Sequence, residues 1–131
     1  MSGETNLQKL LQTMQPKHNT GEYVFCTIEF LHLIDNTKVV CFFKETEGYT
    51  IIIDKAIADE KQLSYTAVFS WITLTVHSSL EAVGLTAAIS TALSSNGISC
   101  NVVAAYYHDH IFVPVKDAEK AMSVLEALVS K

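Results

Sequence analysis

Residues 71–115, WITLTVHSSLEAVGLTAAISTALSSNGISCNVVAAYYHDHIFVPV, decide the fold. The hydrophobic period changes along them. Trp71 to Val76 alternates in twos, as a strand does, and then Leu85, Ala88, Ile89, Ala92 and Leu93 recur at helical spacing. Asn96-Gly97 ends that helix, because glycine enters the left-handed region without a Cβ penalty. Alternation returns with Ile98, Cys100, Val102, Ala104 and Tyr106 on one face of a strand. A tight turn is expected at Tyr107-His108-Asp109-His110, then a strand with Ile111, Val113 and Val115 on one face. Pro114 places that strand at a sheet edge or at its own end. Asp117 is positioned to cap a last helix with Ala118, Ala121, Met122, Leu125, Leu128 and Val129 inward. The second half thus reads β-α-β-β-α, one strand short of a ferredoxin-like βαββαβ unit.

Working outward, the first half supplies α-β-β-β-α. Thr5 and Gln8 have capping-box spacing ahead of Leu7, Leu10, Leu11 and Met14, an amphipathic helix stopped by Pro16, with 17–21 a loop. Residues 22–30 alternate as a strand, and 38–44 and 49–53 form a hairpin across Glu45-Thr46-Glu47-Gly48. Asp54 caps a short helix. The boundary falls within Gln62 to Thr66, dividing the chain into repeats 1–64 and 65–131. No Gly/Ser- or Pro-rich linker separates them, so tight packing is expected. Ile51 to Ala56 echoes Val113 to Ala118, each an apolar strand end running into an acidic helix cap.

Composition narrows the function. A net charge of −5 with no basic cluster argues against a nucleic-acid partner. No apolar run reaches the ~18–20 residues of a membrane span. The polar start MSGETNLQKLL lacks the form of a secretory signal, so a cytoplasmic location is expected. Cys26, Cys41 and Cys100 are isolated and fit buried, reduced thiols. With 49% hydrophobic residues, and with Phe69 and Trp71 on the strand face opposite Val68, Ile72, Leu74 and Val76, a homo-oligomer is expected.

Two places could carry chemistry. Gly84 near a helix start lets backbone N–H groups face a bound carboxylate, aided by the helix dipole. The plainer alternative is that Ser78 or Ser79 caps the helix and Gly84 only makes the turn. His108 and His110, joined by His77, could offer nitrogens to a metal, but no fourth ligand is evident. Ser79, His77 and Asp109 could be drawn as a hydrolase triad, yet no GxSxG elbow accompanies them. No catalytic residue, metal or cofactor is expected.

Through Ser78-Ser79-Leu80-Glu81-Ala82-Val83-Gly84-Leu85, Gly97-Ile98-Ser99 and Asp109-His110-Ile111-Phe112-Val113-Pro114, the chain resembles ACT-domain proteins. It is similar to the small bacterial tandem ACT-like proteins of uncharacterised function, and to the ACT modules of cytosolic arginine sensors. The resemblance implies an α+β fold of tandem, interlocked ferredoxin-like repeats with antiparallel sheets, one repeat lending strands to the other. It further implies a regulatory, non-enzymatic module whose partner is a small molecule, an amino acid above all. Carried over, Ser79, Leu80, Val83, Gly84 and Leu85 form the ligand-facing loop, and Asp109 meets a ligand amine or guanidinium. Glu81 is the second candidate carboxylate, and His110 stands beside Asp109. The alternatives are an interaction module without a ligand, or a metal-binding protein built on the histidines.

Overall fold

The computed structural model describes residues 6–75 and 84–129. In chain order its elements are α1 (Leu7–Thr13), β1 (Gln15–His18), β2 (Tyr23–Ile28), β3 (Val39–Lys44), β4 (Tyr49–Asp54), α2 (Lys55–Glu60), β5 (Phe69–Thr75), α3 (Leu85–Ser94), β6 (Asn101–Ala104), β7 (Asp109–Pro114) and α4 (Ala118–Val129). They form two compact units. One comprises the first 20 residues with Ser70–Lys131, the other Gly21–Phe69.

In the larger unit the strand order is β1-β5-β7-β6. That is the ferredoxin-like sheet, with β5, β6 and β7 as first, second and third strands and β1 in the fourth place. Gln15 to His18 pair antiparallel with Thr75 to Ile72. The strand missing from the second half of the sequence therefore comes from the N-terminus, where a loop was expected. Pro16 is compatible with this because, among the described strands, β1 pairs only with β5, so the missing N–H can lie on the other side. Asn6 rather than Thr5 occupies the cap of α1, its side chain accepting from Lys9 N at 3.1 Å. Thr5 lies outside the described residues.

The core of this unit is the layer between sheet and helices. Leu10 of α1 and Met14 just after it, Ile72 and Leu74 of β5, Leu85, Ile89 and Leu93 of α3, Ile111 and Val113 of β7, and Ala121 and Leu125 of α4 are all buried together. Gly97, at φ +74°, closes α3 as its sequence predicts, with Ile98 N donating to Leu93 O at 3.0 Å. Between β7 and α4 the chain makes a 3₁₀ turn at Val115–Asp117. Val115 is exposed there and does not continue the strand face of Ile111 and Val113.

The smaller unit orders its strands β3-β4-β2, and Tyr23 of β2 pairs with Phe69 at the start of β5. Short 3₁₀ turns at Leu31–Leu33 and Asn36–Lys38 stand where a ferredoxin-like unit has its first helix. Asp54 caps α2 through Ala56 N at 2.8 Å. Val24, Cys26, Ile28, Ile51, Ile53 and Ala58 form its core, with Val68 packed against them rather than beside Ile72.

The hairpins of the two units match at an offset of sixty residues. Lys44 faces Tyr49 and Ala104 faces Asp109 across the strands. Glu45 N bonds Gly48 O at 2.9 Å, and Ala105 N bonds His108 O at 3.1 Å. This shifts the second turn from the expected 107–110 to 105–108. It also replaces the echo read between Ile51 and Val113, which runs two residues out of the structural register.

Candidate ligand site

The turn shift changes what His108, Asp109 and His110 can do. Asp109 and His110 are strand residues, so their side chains alternate across the sheet. Ile111 and Val113 belong to the helix-side core, which puts Asp109 on that side. His110 shares the other side with Phe112, facing Trp71 and Thr73 of β5. Contacts of Trp71 with Phe112 and of Thr73 with His110 progress in opposite directions along the two strands. The start of β7 thus lies beside the end of β5, where the chain leaves for Gly84.

Gly84 is the N-cap of α3 in the left-handed region, φ +95°, and Leu85 begins the helix fully packed. A glycine cap offers no side chain to the first-turn N–H groups, which keep their anion-binding character. Ser79, Leu80, Glu81 and Val83, as well as His77, Ser78 and Val76, lie outside the described residues. On the helix side, therefore, Gly84, Leu85 and Asp109 are the predicted site residues with a described position. Burial, only partly offset by nearby His108, holds the half-buried Asp109 carboxyl above the usual carboxylate range.

On the opposite face a polar chain runs across three strands. Asn19, just after β1, donates from Nδ2 to Thr73 Oγ1 at 2.9 Å and to Trp71 O at 3.2 Å. Thr73 Oγ1 lies 3.2 Å from His110 Nδ1, which also receives Trp71 Nε1–H at 3.0 Å. With Nδ1 accepting, the proton of neutral His110 sits on Nε2, leaving neither nitrogen with a lone pair for a metal. His108 Nδ1 is buried without a hydrogen-bond partner. Among the described residues no three His, Cys, Asp or Glu side chains are grouped to hold a metal ion. Sequence reasoning missed Asn19 and Thr73. The period-two parity of Thr73 with Trp71 was visible, but the strand that brings Asn19 alongside was not.

A groove of 540 Å³ lies between α3 and α4, lined in part by Ala92, Asn96, Lys120 and Val124. It includes none of the predicted site residues. The thiols are free, Cys26 buried, Cys41 and Cys100 only half-buried; burial raises all three, Cys100 to about 11. No helix among the described residues is long and apolar enough to cross a membrane.

Residues 2–70 and 67–127 each match the ACT domain. A Vibrio cholerae protein of unknown function, described as a possible transport protein, is 46% identical, with a TM-score of 0.86 over 94% of this chain and 95% of that one. Escherichia coli aspartokinase III, solved with aspartate and ADP, matches at 11% identity and a TM-score of 0.64, covering 93% of this chain and 34% of that one. The ligand-free regulatory subunit of aspartate kinase from Thermus thermophilus matches at 8% identity and a TM-score of 0.58, covering 86% and 95%. No curated protein matches the chain.

Proposed function

Since the chain belongs to the ACT-domain family, whose modules bind small molecules such as amino acids in regulatory roles, we propose that it is a non-enzymatic amino-acid-binding regulator. Its site is the end of the larger unit where α3 begins and β7 starts. In this reading Ser79, Leu80, Glu81 and Val83 complete the loop that leads to Gly84 and Leu85. The repeats are residues 1–64 and 65–131, and the protein works in the cytoplasm as a homo-oligomer.

The observation that carries the proposal is Asp109. Its half-buried carboxyl makes no hydrogen bond or ion pair among the described residues and is held above its ordinary range by burial. A ligand ammonium or guanidinium placed there stabilises the charged carboxylate, while the ligand's own carboxylate finds the α3 N-terminus. The test is a thermal-shift screen of the common amino acids, in which a ligand of the folded state raises Tm by mass action. A screen in which no amino acid raises Tm removes this reading. The second reading, an interaction module without a ligand, has one observation in its favour: Phe42 and Phe43 of β3 are 51% and 69% exposed.

A further inference from the structure

The hydrogen bonds around His110 admit one protonation state. The Trp71 indole N–H can only donate, so His110 Nδ1 must accept, and its proton belongs on Nε2. Thr73 Oγ1 already accepts from Asn19 Nδ2, so its own hydrogen is also free to turn toward Nδ1. A proton added at Nδ1 would set an imidazolium N–H against the indole N–H. It would have Thr73 Oγ1 as an acceptor and nothing to offer Trp71.

We propose that the Trp71–His110 bond is a proton-sensitive latch between β5 and β7. It is closed while His110 is neutral. It opens on protonation, when the new Nδ1–H turns to Thr73 Oγ1 and the indole is released. The latch lies near the start of β7, on the sheet face opposite Asp109, and does not rest on the function proposed above.

Among the described residues the groups facing His110 are few. On β7, His108 is the titratable neighbour, its ring centroid 6.5 Å away, with Phe112 beyond. β5 contributes Trp71 and Thr73, and β6 the uncharged Val103 and Asn101 opposite His110 and Phe112. On β1, Lys17 stands opposite Thr73 and is the charged residue of that strand on this face, while His18 stands opposite Ile72 on the other. Asp109 also turns to the other face. Burial, with His108 adding to it, holds His110 below the ordinary imidazole range, so the latch opens at a lower pH than an exposed histidine would titrate.

Trp71 is the chain's single tryptophan, so its indole N–H gives one resonance in a spectrum of the ¹⁵N-labelled full-length protein. At neutral pH, His110 Nδ1 should show the shift of an unprotonated ring nitrogen and Nε2 that of a protonated one. On acidification the indole resonance should move with the His110 nitrogens at a shared midpoint. His110→Gln, whose side-chain carbonyl accepts from the indole at every pH, should abolish the indole titration, and His108→Asn should preserve it. A protonated Nδ1 at neutral pH overturns the latch. So does an indole resonance that stays still while His110 titrates, one that still titrates in His110→Gln, one that ceases to titrate in His108→Asn, or global unfolding before His110 is protonated. None of these readouts needs a ligand, so they stand or fall apart from the amino-acid screen.

Discussion

Asp109 and His110 are consecutive in sequence and occupy opposite faces of β7, one toward the helices and the other against Trp71. A ligand held at the α3 end can therefore use Asp109 directly, while His110 lies on the far side of the sheet. Asp109→Ala should weaken binding of the amino acid found by the screen by ~1.5–3 kcal/mol, the range for a charge-assisted hydrogen bond. His110→Gln, which keeps the acceptor for Trp71, should leave affinity at neutral pH nearly unchanged. Titration calorimetry on the three proteins decides it, and equal losses in both variants would place the ligand elsewhere.

The origin of β1 makes a second prediction. Leu10 and Met14 are completely buried in a core whose other members come from residues 72–125. A fragment of residues 65–131 lacks both side chains and the strand that covers the β5 edge, so it should be insoluble or melt without cooperativity. Fusing residues 1–20 to it through a flexible linker should restore a cooperative transition. In the full chain, Leu10→Ala should cost ~2–5 kcal/mol, read by chemical denaturation.

Much of this fold was legible because long periodic segments have few alternatives. The stripes of α3 and α4 and the 39–54 hairpin follow directly from apolar spacing and from Gly48 and Gly97. What was hidden depended on partners remote in sequence. Gln15-Pro16-Lys17-His18 has no strand signature; its four residues become a strand because Thr75 to Ile72 offer an unpaired edge. The turn at 105–108 was masked by Tyr106, which reads as a strand residue but, like Tyr107, is more than 60% exposed at the tip. That two-residue displacement is also why His110 was grouped with Asp109. The glycine cap of α3 was visible as Gly84, whereas Asn19 and Thr73 became notable only through the strand pairing.

The glycines differ in what they tolerate. Gly48 has φ +149°, and a Cβ there would come within 3.0 Å of the Ile28 carbonyl oxygen and 3.3 Å of Thr27 Oγ1. Gly97 has φ +74°, and a Cβ at that position would meet nothing within 4 Å. Gly97→Ala should therefore cost only the left-handed penalty of ~1–2 kcal/mol. Gly48→Ala adds a backbone clash to its strain and should cost more, with thermal melts of the two variants giving the order. Gly84→Val would put a branched side chain where the proposed ligand's carboxylate approaches the backbone. Its φ of +95° and the Leu7 side chain 3.3 Å from a Cβ mean it should lower Tm as well.

Two groups on β7 should give the stability–pH curve opposing contributions. The folded pKa of His110 is depressed by burial and then by His108. Its contribution is present above the unfolded value of about 6.5 and is lost as pH falls through that value toward the folded one. Asp109 is raised by burial, so its contribution has the reverse sign, present in acid and lost as pH rises through its folded pKa. Asp109→Asn should accordingly raise Tm at neutral pH, with the gain vanishing in acid. His110→Gln should flatten the fall in Tm just below about pH 6.5. Melting curves across that range separate the two, and a gain for Asp109→Asn that persists unchanged in acid would contradict the assignment.

The surface best suited to self-association is β3. From the sequence, Phe69 and Trp71 marked the interface, but both are half-buried within the fold, where Phe69 packs edge-on against Phe25 and Trp71 stacks on Phe112. The large apolar side chains left open include Phe42 and Phe43 of β3, and β3 ends the strand order of its unit. An end strand presents unpaired backbone groups, and β3 has no proline and only Lys44, at its last position, as a charge against pairing. Sedimentation at micromolar concentration should show a dimer or larger. A Phe42→Lys, Phe43→Glu double variant should shift it to monomer while keeping its Tm, because these exposed side chains contribute little to the core. Tyr106→Ser with Tyr107→Ser, at the other exposed aromatic cluster, should leave the association unchanged. The opposite order of effects would move the interface to the β6–β7 turn, and a wild type that sediments as a monomer throughout would remove it altogether.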